Sequence, residues 1–169
     1  MTADVTELDA LSPDAFAVAA APWFEGAPRF LARLAAARPF RDSATLFARA
    51  AEIAATMPPD EQLELIDAHP RLGAPPASVS AASFREQGYD RETSAAIDDL
   101  ERLNAAYEAR FGMRFCVFVN GRSRPELVPA LEAALGADRD AEVRRALGDV
   151  VAIAHDRFGR AARSPKVPA

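Results

Sequence analysis

The stretch SATLFARAAEIAATM, residues 43–57, carries the most regular pattern in the chain. Its apolar side chains recur at intervals of three and four residues, which places them on one face of an α-helix. Asp42 or Ser43 can cap the start, and Pro58-Pro59 ends the pattern because a residue before proline leaves the helical region. This segment therefore predicts an amphipathic helix. Its predicted buried stripe consists of Leu46, Phe47, Ala50, Ile53, Ala54 and Met57.

Helix-favouring composition extends over the rest of the chain, where alanine and leucine are abundant and valine and isoleucine are sparse. Further helices are predicted from Ser12-Pro13 to Pro22, from Pro28 to Ala37, from Pro59 to just before His69, from Ser80 to Gln87, from Asp90 to Gly112, from Ser123 to Gly136 and from Arg139 to Ala162. One run, residues 115–119, has the composition of a strand but no partner, so it predicts buried extended backbone. The fold predicted is all-α, a single compact domain of about seven to eight helices with one extended buried segment.

The length of 169 residues suits one domain, and half of the residues are apolar. No linker or repeat divides the chain. We expect a single helical domain over residues 1–169, with a core from about residue 12 to 162 and disorder at both ends.

Charge and cysteine content exclude several classes of protein. The 20 basic and 25 acidic residues give a net charge of -5, which argues against nucleic acid or an anionic membrane as a partner. The chain has no apolar run of about 18 residues, and its first residues are acidic where an export signal would be basic, so we expect a soluble, cytoplasmic protein. A single cysteine and two histidines cannot form a structural zinc site.

His69 is the first candidate for chemistry because it stands where a helix ends, directly before a proline. Histidine is the usual side chain for moving a proton near neutral pH. The alternative is structural: a histidine at a helix C-terminus can cap free carbonyl groups.

Ser83, Glu86 and Gln87 form a second candidate. Ser83 and Glu86 are three residues apart on a predicted helix, so they share a face and can present a hydroxyl and a carboxylate to one polar ligand. The same Ser-x-x-Glu spacing also describes a capping box, in which both side chains bind backbone amides.

Arg157 is a third candidate, since it lies close to the apolar stripe of the last helix and can anchor a carboxylate. A surface arginine near a helix C-terminus is the alternative. His155 is predicted to be exposed and has no assigned role. Cys116 fits a small buried apolar residue better than a nucleophile. Core positions are predicted for Phe16, Trp23, Phe24, Phe30, Phe40 and Phe47.

Taken in order, these motifs resemble the 2-oxo-4-hydroxy-4-carboxy-5-ureidoimidazoline (OHCU) decarboxylases, all-helical enzymes of urate breakdown. The similarity covers roughly residues 12 to 160. Its main elements are Ala21-Pro22-Trp23, Arg38-Pro39-Phe40, the segment QLELIDAHPRLG at 62–73, Ser83-Phe84-Arg85-Glu86-Gln87, Leu103-Asn104 with Tyr107, Arg110-Phe111-Gly112, and Ile153-Ala154 with Arg157.

The resemblance implies a set of site residues. His69 takes the place of the catalytic histidine, with Glu86 as its catalytic partner. Substrate-binding positions are implied for Pro70, Ser83, Phe84, Arg85, Gln87, Phe115, Cys116, Val117, Phe118, Val119 and Arg157. The resemblance also implies no metal and no organic cofactor, a small ureidoimidazoline as substrate, and a homodimer.

The implied reaction is loss of CO2 from OHCU to give (S)-allantoin, with His69 donating a proton to one face of a planar intermediate. The sequence departs from the family pattern at Arg71 and Arg114, which leaves a decarboxylase of a related purine-derived ureide as the nearest alternative. A non-catalytic helical binding or dimerisation module is the alternative from another class.

Overall fold

The structure, a computed structural model, describes residues 4–74, 79–87 and 95–163, apart from the side chains of Glu86 and of residues 95–98. These residues form nine helices and contain no strand, which confirms the all-α prediction. The helices are α1 (Val5–Asp9), α2 (Pro13–Ala20), α3 (Pro28–Ala36), α4 (Ser43–Thr56), α5 (Pro59–Asp67), α6 (Ala81–Glu86), α7 (Ala95–Phe111), α8 (Arg124–Ala134) and α9 (Arg139–Arg163).

Local sequence signals set many of these boundaries. The carboxylate of Asp42 accepts a hydrogen bond from the Thr45 amide at 2.7 Å and caps α4. The hydroxyl of Ser12 does the same for α2, with Pro13 in the first position of the helix. Gly112 ends α7 in the left-handed conformation, at φ 68°. The predicted start of α7 at Asp90 lies outside the described residues.

The long helix α9 packs against α4 and α5, while α2, α3 and α4 follow one another around it and α7 pairs with α8. The six aromatic residues predicted to lie in the core, from Phe16 to Phe47, are all buried, which confirms that prediction. The rings of Trp23 and Phe158 meet edge to face with centroids 5.1 Å apart, which fixes the turn after α2 against α9. One apolar core therefore joins the first half of the chain to its last helix.

The beginning of the chain corrects the expectation of disorder before residue 12. Residues 5–9 form α1, whose Val5 and Leu8 are buried in the core. The carboxylate of Asp9 accepts hydrogen bonds from the amides of Phe40 and Arg41, at 3.0 and 2.8 Å. These distant contacts order a helix that is too short to be stable by itself.

The run at residues 115–119 is extended and pairs with no strand among the described residues, as predicted. It lies between α7 and α8 and forms part of the wall of the cavity described below. None of the helices in the described ranges is both long enough and apolar enough to cross a bilayer.

Candidate active site

A cavity of about 220 Å³ lies where α5, α6, the start of α8 and the second half of α9 converge on residues 115–119. Most of the predicted site residues line it. They are His69, Pro70, Ser83, Arg85, Gln87, Phe115, Cys116, Val117, Phe118, Val119 and Arg157. Segments far apart in the sequence therefore meet at one concave site.

His69 lies at the end of α5, where Pro70 prevents the helix from continuing. Its side chain is buried, and Nδ1 lies 3.2 Å from the carbonyl oxygen of Leu65. Because a carbonyl only accepts hydrogen bonds, Nδ1 carries the proton and Nε2 presents a lone pair. Nε2 has no hydrogen-bond partner among the described residues. The helix-cap interpretation thus accounts for one nitrogen of His69 and leaves the other free to act on a ligand.

The charge state of His69 follows from its surroundings. Burial lowers the pKa of His69 to about 4, the positive charge of Arg157 adds to this effect, and the negative charge of Glu25 opposes it. The imidazole is therefore neutral at neutral pH. In this state Nε2 can accept a proton before it donates one.

Helix α6 positions Ser83 inside the helix and corrects the capping-box interpretation of Ser83. The cap is Ser80, whose hydroxyl accepts a hydrogen bond from the Ser83 amide at 3.1 Å. The Ser83 hydroxyl instead donates to the Glu25 carboxylate at 2.7 Å and accepts from Arg157 at 3.0 Å. The side chain of Glu86 lies outside the described residues.

Phe84 is placed differently from the other predicted site residues. Among the predicted site residues whose side chains the structure describes, Phe84 alone does not line the cavity. Ser83 and Gln87 are four residues apart and point inward, so Phe84, one residue after Ser83, points toward solvent and is 37% exposed.

Arg157 projects from α9 into the site and is buried, which excludes the surface-arginine interpretation. Its guanidinium donates to the carbonyl oxygen of Pro22 at 3.1 Å and lies 2.9 Å from the carboxylate of Glu25. Burial raises the pKa of Glu25, but the hydrogen bond from Ser83 and the charge of Arg157 outweigh this effect and hold it below its ordinary value. Arg157 and Glu25 thus form a buried ion pair beside His69.

Gln87 lines the cavity, and its side-chain amide also forms hydrogen bonds to the loop that follows His69. Its side-chain oxygen accepts from the Gly73 amide at 2.8 Å, and its side-chain nitrogen donates to the Arg71 carbonyl at 3.2 Å. Asn104 in α7 supports the same loop by donating to the Leu72 carbonyl at 2.8 Å. The loop after His69 is therefore fixed from two helices.

The peptide groups of the extended segment 115–119, which lines the cavity, differ in their hydrogen-bond partners. Arg145 donates to the Cys116 carbonyl at 3.0 Å, and Arg122 donates to the Phe118 carbonyl at 2.7 Å. The amide and carbonyl of Val117, in contrast, have no hydrogen-bond partner among the described residues. Val117 is half-buried and lines the cavity, so its peptide groups are suited to bind the polar edge of a ligand.

The lining of the cavity is strongly basic. Five arginines contribute to it and no acidic residue with a described side chain does. They are Arg85, Arg122, Arg124, Arg157 and Arg160. This concentration of positive charge favours an anionic ligand.

The two departures from the family pattern lie outside the cavity lining. Arg71 forms a two-pronged ion pair with Glu108 of α7, at 2.5 and 2.8 Å. Arg114 donates to the carbonyls of Asp67 and His69, at 2.8 and 3.2 Å. Both arginines therefore support the backbone around His69 without lining the site.

Several site features escaped the sequence analysis. Glu25 carried no recognised motif, although the adjacent Gly26 marked a turn. Asn120, Gly121 and Ser123 were not among the predicted site residues, yet all three lie on the cavity wall. Arg122, Arg124 and Arg160 gave no signal, because a single arginine is common on surfaces. In the part of the chain that the structure describes, no group of three or more His, Cys, Asp or Glu side chains is arranged to hold a metal.

Comparison with known proteins gives a consistent result. The family model described as OHCU decarboxylase matches residues 9–159. The chain is 30% identical over 158 residues to a 2-oxo-4-hydroxy-4-carboxy-5-ureidoimidazoline decarboxylase of Haloferax volcanii, covering 90% of this chain and 92% of that protein. It is 33% identical over 138 residues to the uric acid degradation bifunctional protein PucL of Bacillus subtilis, covering 80% of this chain and 28% of that protein. The chain thus spans just over a quarter of the length of this bifunctional relative.

Solved structures share the fold. A crystal structure of OHCU decarboxylase in the presence of (S)-allantoin matches with a TM-score of 0.69 and 21% identity, over 82% of this chain and 94% of the other. A crystal structure of (S)-allantoin synthase matches with a TM-score of 0.68 and 22% identity, over 95% of this chain and 54% of the other. With the family match over most of its length, this chain belongs to the OHCU decarboxylase family.

Proposed function

We propose that this protein decarboxylates OHCU to (S)-allantoin in the breakdown of urate. The observation that carries the proposal is the neutral, buried imidazole of His69, whose unpartnered Nε2 borders a small cavity rich in arginine. The substrate is a compact heterocycle with a carboxylate, a hydroxyl group and a ureido group. The basic lining of the cavity suits the carboxylate, and Nε2 of His69 can accept the proton of the hydroxyl group. The peptide groups of Val117 can bind the ureido group.

In the proposed reaction, the bond between the ring carbon and the carboxylate breaks, and its electron pair moves into the adjacent ring system. The substrate itself therefore accepts the electrons, and neither a metal nor an organic cofactor is needed for this step. Arg157 and the other arginines of the lining draw the carboxylate into the site. Ser83 and Gln87 keep the wall in place through the contacts described above.

His69 moves the proton in this proposal. Since its imidazole is neutral, Nε2 first accepts the hydroxyl proton of the substrate, and the resulting imidazolium then protonates the ring carbon that becomes the stereocentre. Delivery from one side of the cavity accounts for a single enantiomer. Glu86 is proposed as the second catalytic group, on the basis of the family resemblance, and orients the hydroxyl and the departing carboxylate.

The proposed function is tested by forming OHCU from urate with the two preceding enzymes and following the circular dichroism of the allantoin produced. Rapid accumulation of one enantiomer above the spontaneous rate supports the proposal. Racemic allantoin at the spontaneous rate, with the protein well folded, rejects it and leaves a related ureide or a binding role. Arg71 and Arg114 do not line the cavity, so they give no support to a different ureide.

We also propose that the protein is a cytoplasmic homodimer. The family resemblance supports the dimer, and the acidic composition and single cysteine support the location. Light scattering after size-exclusion chromatography tests the dimer through the mass in solution. Fractionation of the source cells tests the location.

A further inference from the structure

Among the described residues, four acceptors from two distant parts of the chain hold Arg157. The carbonyls of Pro22 and Trp23 accept from one nitrogen of its guanidinium, at 3.1 and 3.5 Å. The hydroxyl of Ser83 and the carboxylate of Glu25 lie at 3.0 and 2.9 Å from another nitrogen. Pro22, Trp23 and Glu25 belong to the single turn between α2 and α3, so this turn encloses the guanidinium.

Glu25 has an unusual backbone that serves this arrangement. Its φ is 50°, in the left-handed region that a residue with a side chain seldom adopts, and Gly26 follows at φ 78°. This conformation is maintained while the carboxylate receives hydrogen bonds from Ser80 at 2.9 Å and Ser83 at 2.7 Å. Such a costly backbone state at the edge of a site points to a role for the side chain that it positions.

Glu25 is not among the residues that line the cavity, whereas Arg157 and Ser83 are. It therefore acts on a ligand only through these two neighbours. Its negative charge offsets much of the positive charge that Arg157 presents to the cavity, because the two groups are in contact and both are largely buried, with side-chain exposures of 13% and 6%.

In the proposed reaction, it is an advantage that Glu25 offsets part of the positive charge of Arg157. A carboxylate must lose its charge as it becomes CO2, so a strong ion pair with an arginine stabilises the bound substrate more than the transition state. We propose that Glu25 is a positioning residue that orients Arg157 and weakens its hold on the substrate carboxylate, so that the carboxylate is bound but still able to leave. This inference rests on the proposed function and adds a specific role for Glu25.

The kinetic test uses Glu25→Gln, which retains an oxygen acceptor for Ser83 and Arg157 but removes the charge. The expected result is that KM and kcat both fall about five- to tenfold while kcat/KM changes little, because only ground-state binding becomes stronger. Glu61→Gln is a matched control, since Glu61 pairs with Arg33, has the same side-chain exposure of 13%, and does not line the cavity. We expect no change in either constant for the control. A higher KM, or an unchanged KM with any change in kcat, would overturn the proposal.

A binding test separates this inference from the proposed function because it needs no turnover. The probes are oxalate, a small anion, and (S)-allantoin, which is neutral, and the reporters are calorimetry and the fluorescence of Trp23, the single tryptophan of the chain. Glu25→Gln is expected to bind oxalate about tenfold more tightly than the wild type, with little change for allantoin. Equal or weaker binding of oxalate overturns the role of Glu25, whether or not the wild type decarboxylates OHCU.

Glu25→Asp keeps the inference testable if Glu25→Gln does not fold. Aspartate retains the charge but reaches less far, so we expect oxalate affinity within about twofold of the wild type together with a lower kcat, since Arg157 is less well oriented. A tenfold gain in oxalate affinity in Glu25→Asp would show that the charge is not what limits anion binding, and would reject the proposal.

Discussion

Two arginines of helix α9 each pair with a glutamate, but the two ion pairs have different surroundings. In the first half of the helix, Arg145 binds Glu142 at 2.5 Å and Asp149 at 2.7 Å. In the second half, Arg157 pairs with Glu25 at 2.9 Å. Arg145 is paired with carboxylates of its own helix, whereas Arg157 is enclosed by groups from elsewhere in the chain and borders the cavity.

The two pairs therefore have different consequences. The Arg145 pair supports structure: Tyr107 donates to Glu142 at 2.7 Å, and Arg145 holds the Cys116 carbonyl on the cavity wall from behind. The Arg157 pair lies beside His69, and Arg157 itself lines the cavity. An ion pair of the same type is thus an anchor in one setting and part of a site in the other, and its neighbours decide which.

The largest effect is expected on stability, from Glu142→Gln. The Glu142 side chain is 3% exposed, and its loss of charge leaves Arg145 with a weakened partner and Tyr107 with a poorer acceptor. We expect the free energy of unfolding in urea to fall by about 2 to 3 kcal/mol. The loss is not larger because Arg145 is one-third exposed, so water partly solvates its charge. A loss below about 1 kcal/mol would contradict the anchoring role.

A matched pair of substitutions, Arg157→Lys and Arg145→Lys, separates the two roles. Lysine keeps the charge but cannot present the planar fork with which Arg157 contacts the Pro22 carbonyl and Glu25 together. We expect Arg157→Lys to lower kcat/KM about 30-fold or more, and Arg145→Lys to lower it less than about threefold. The comparison between the two arginines is wrong if Arg145→Lys has the larger effect on activity.

The pH dependence of stability also distinguishes the two ion pairs, because His69 adjoins the Arg157 pair and not the Arg145 pair. Burial, as the main cause, lowers the pKa of His69 from 6.5 to about 4 in the folded protein. As pH falls from about 6.5, the unfolded chain binds this proton before the folded one does, so His69 lowers stability between pH 6.5 and 4, on the order of 3 kcal/mol in total. Urea unfolding across this range should show a shallower loss in His69→Asn than in the wild type. Equal slopes would show that His69 is not buried in its neutral form.

The smallest effect is expected from Tyr107→Phe. This change removes the hydroxyl that donates to Glu142 but leaves the ring packed against Phe115, with centroids 5.1 Å apart. We expect a loss of about 1 kcal/mol in unfolding free energy and no change in kcat/KM. A marked loss of activity would mean that the anchor also shapes the site directly.

The fold was largely predictable because its signals are local. The stripe from Leu46 to Met57, the Ser12-Pro13 start and the Gly112 stop each depend on neighbouring residues, and each is present in the structure. The helix at Val5–Asp9 was missed because it depends on Arg38 and on contacts of Asp9 with distant amides.

The site was predictable only in part, for a related reason. His69 and Arg157 were identified, and the structure brings them to one cavity. The partner that joins Arg157 to Ser83 is Glu25, which comes from another region of the chain and carries no pattern of its own. Whether Ser83 caps a helix or contacts Glu25 depends on a tertiary contact, and short-range spacing alone cannot distinguish the two.

The most direct test of the account is the enantiomer of allantoin formed by His69→Asn. The substrate is made in place from urate, circular dichroism follows the product, and the far-ultraviolet spectrum verifies that the variant is folded. If His69 transfers the proton, the variant should lose about 100-fold or more in rate and yield racemic allantoin at the spontaneous rate. A folded His69→Asn protein that still produces (S)-allantoin at the wild-type rate would contradict the central role of His69.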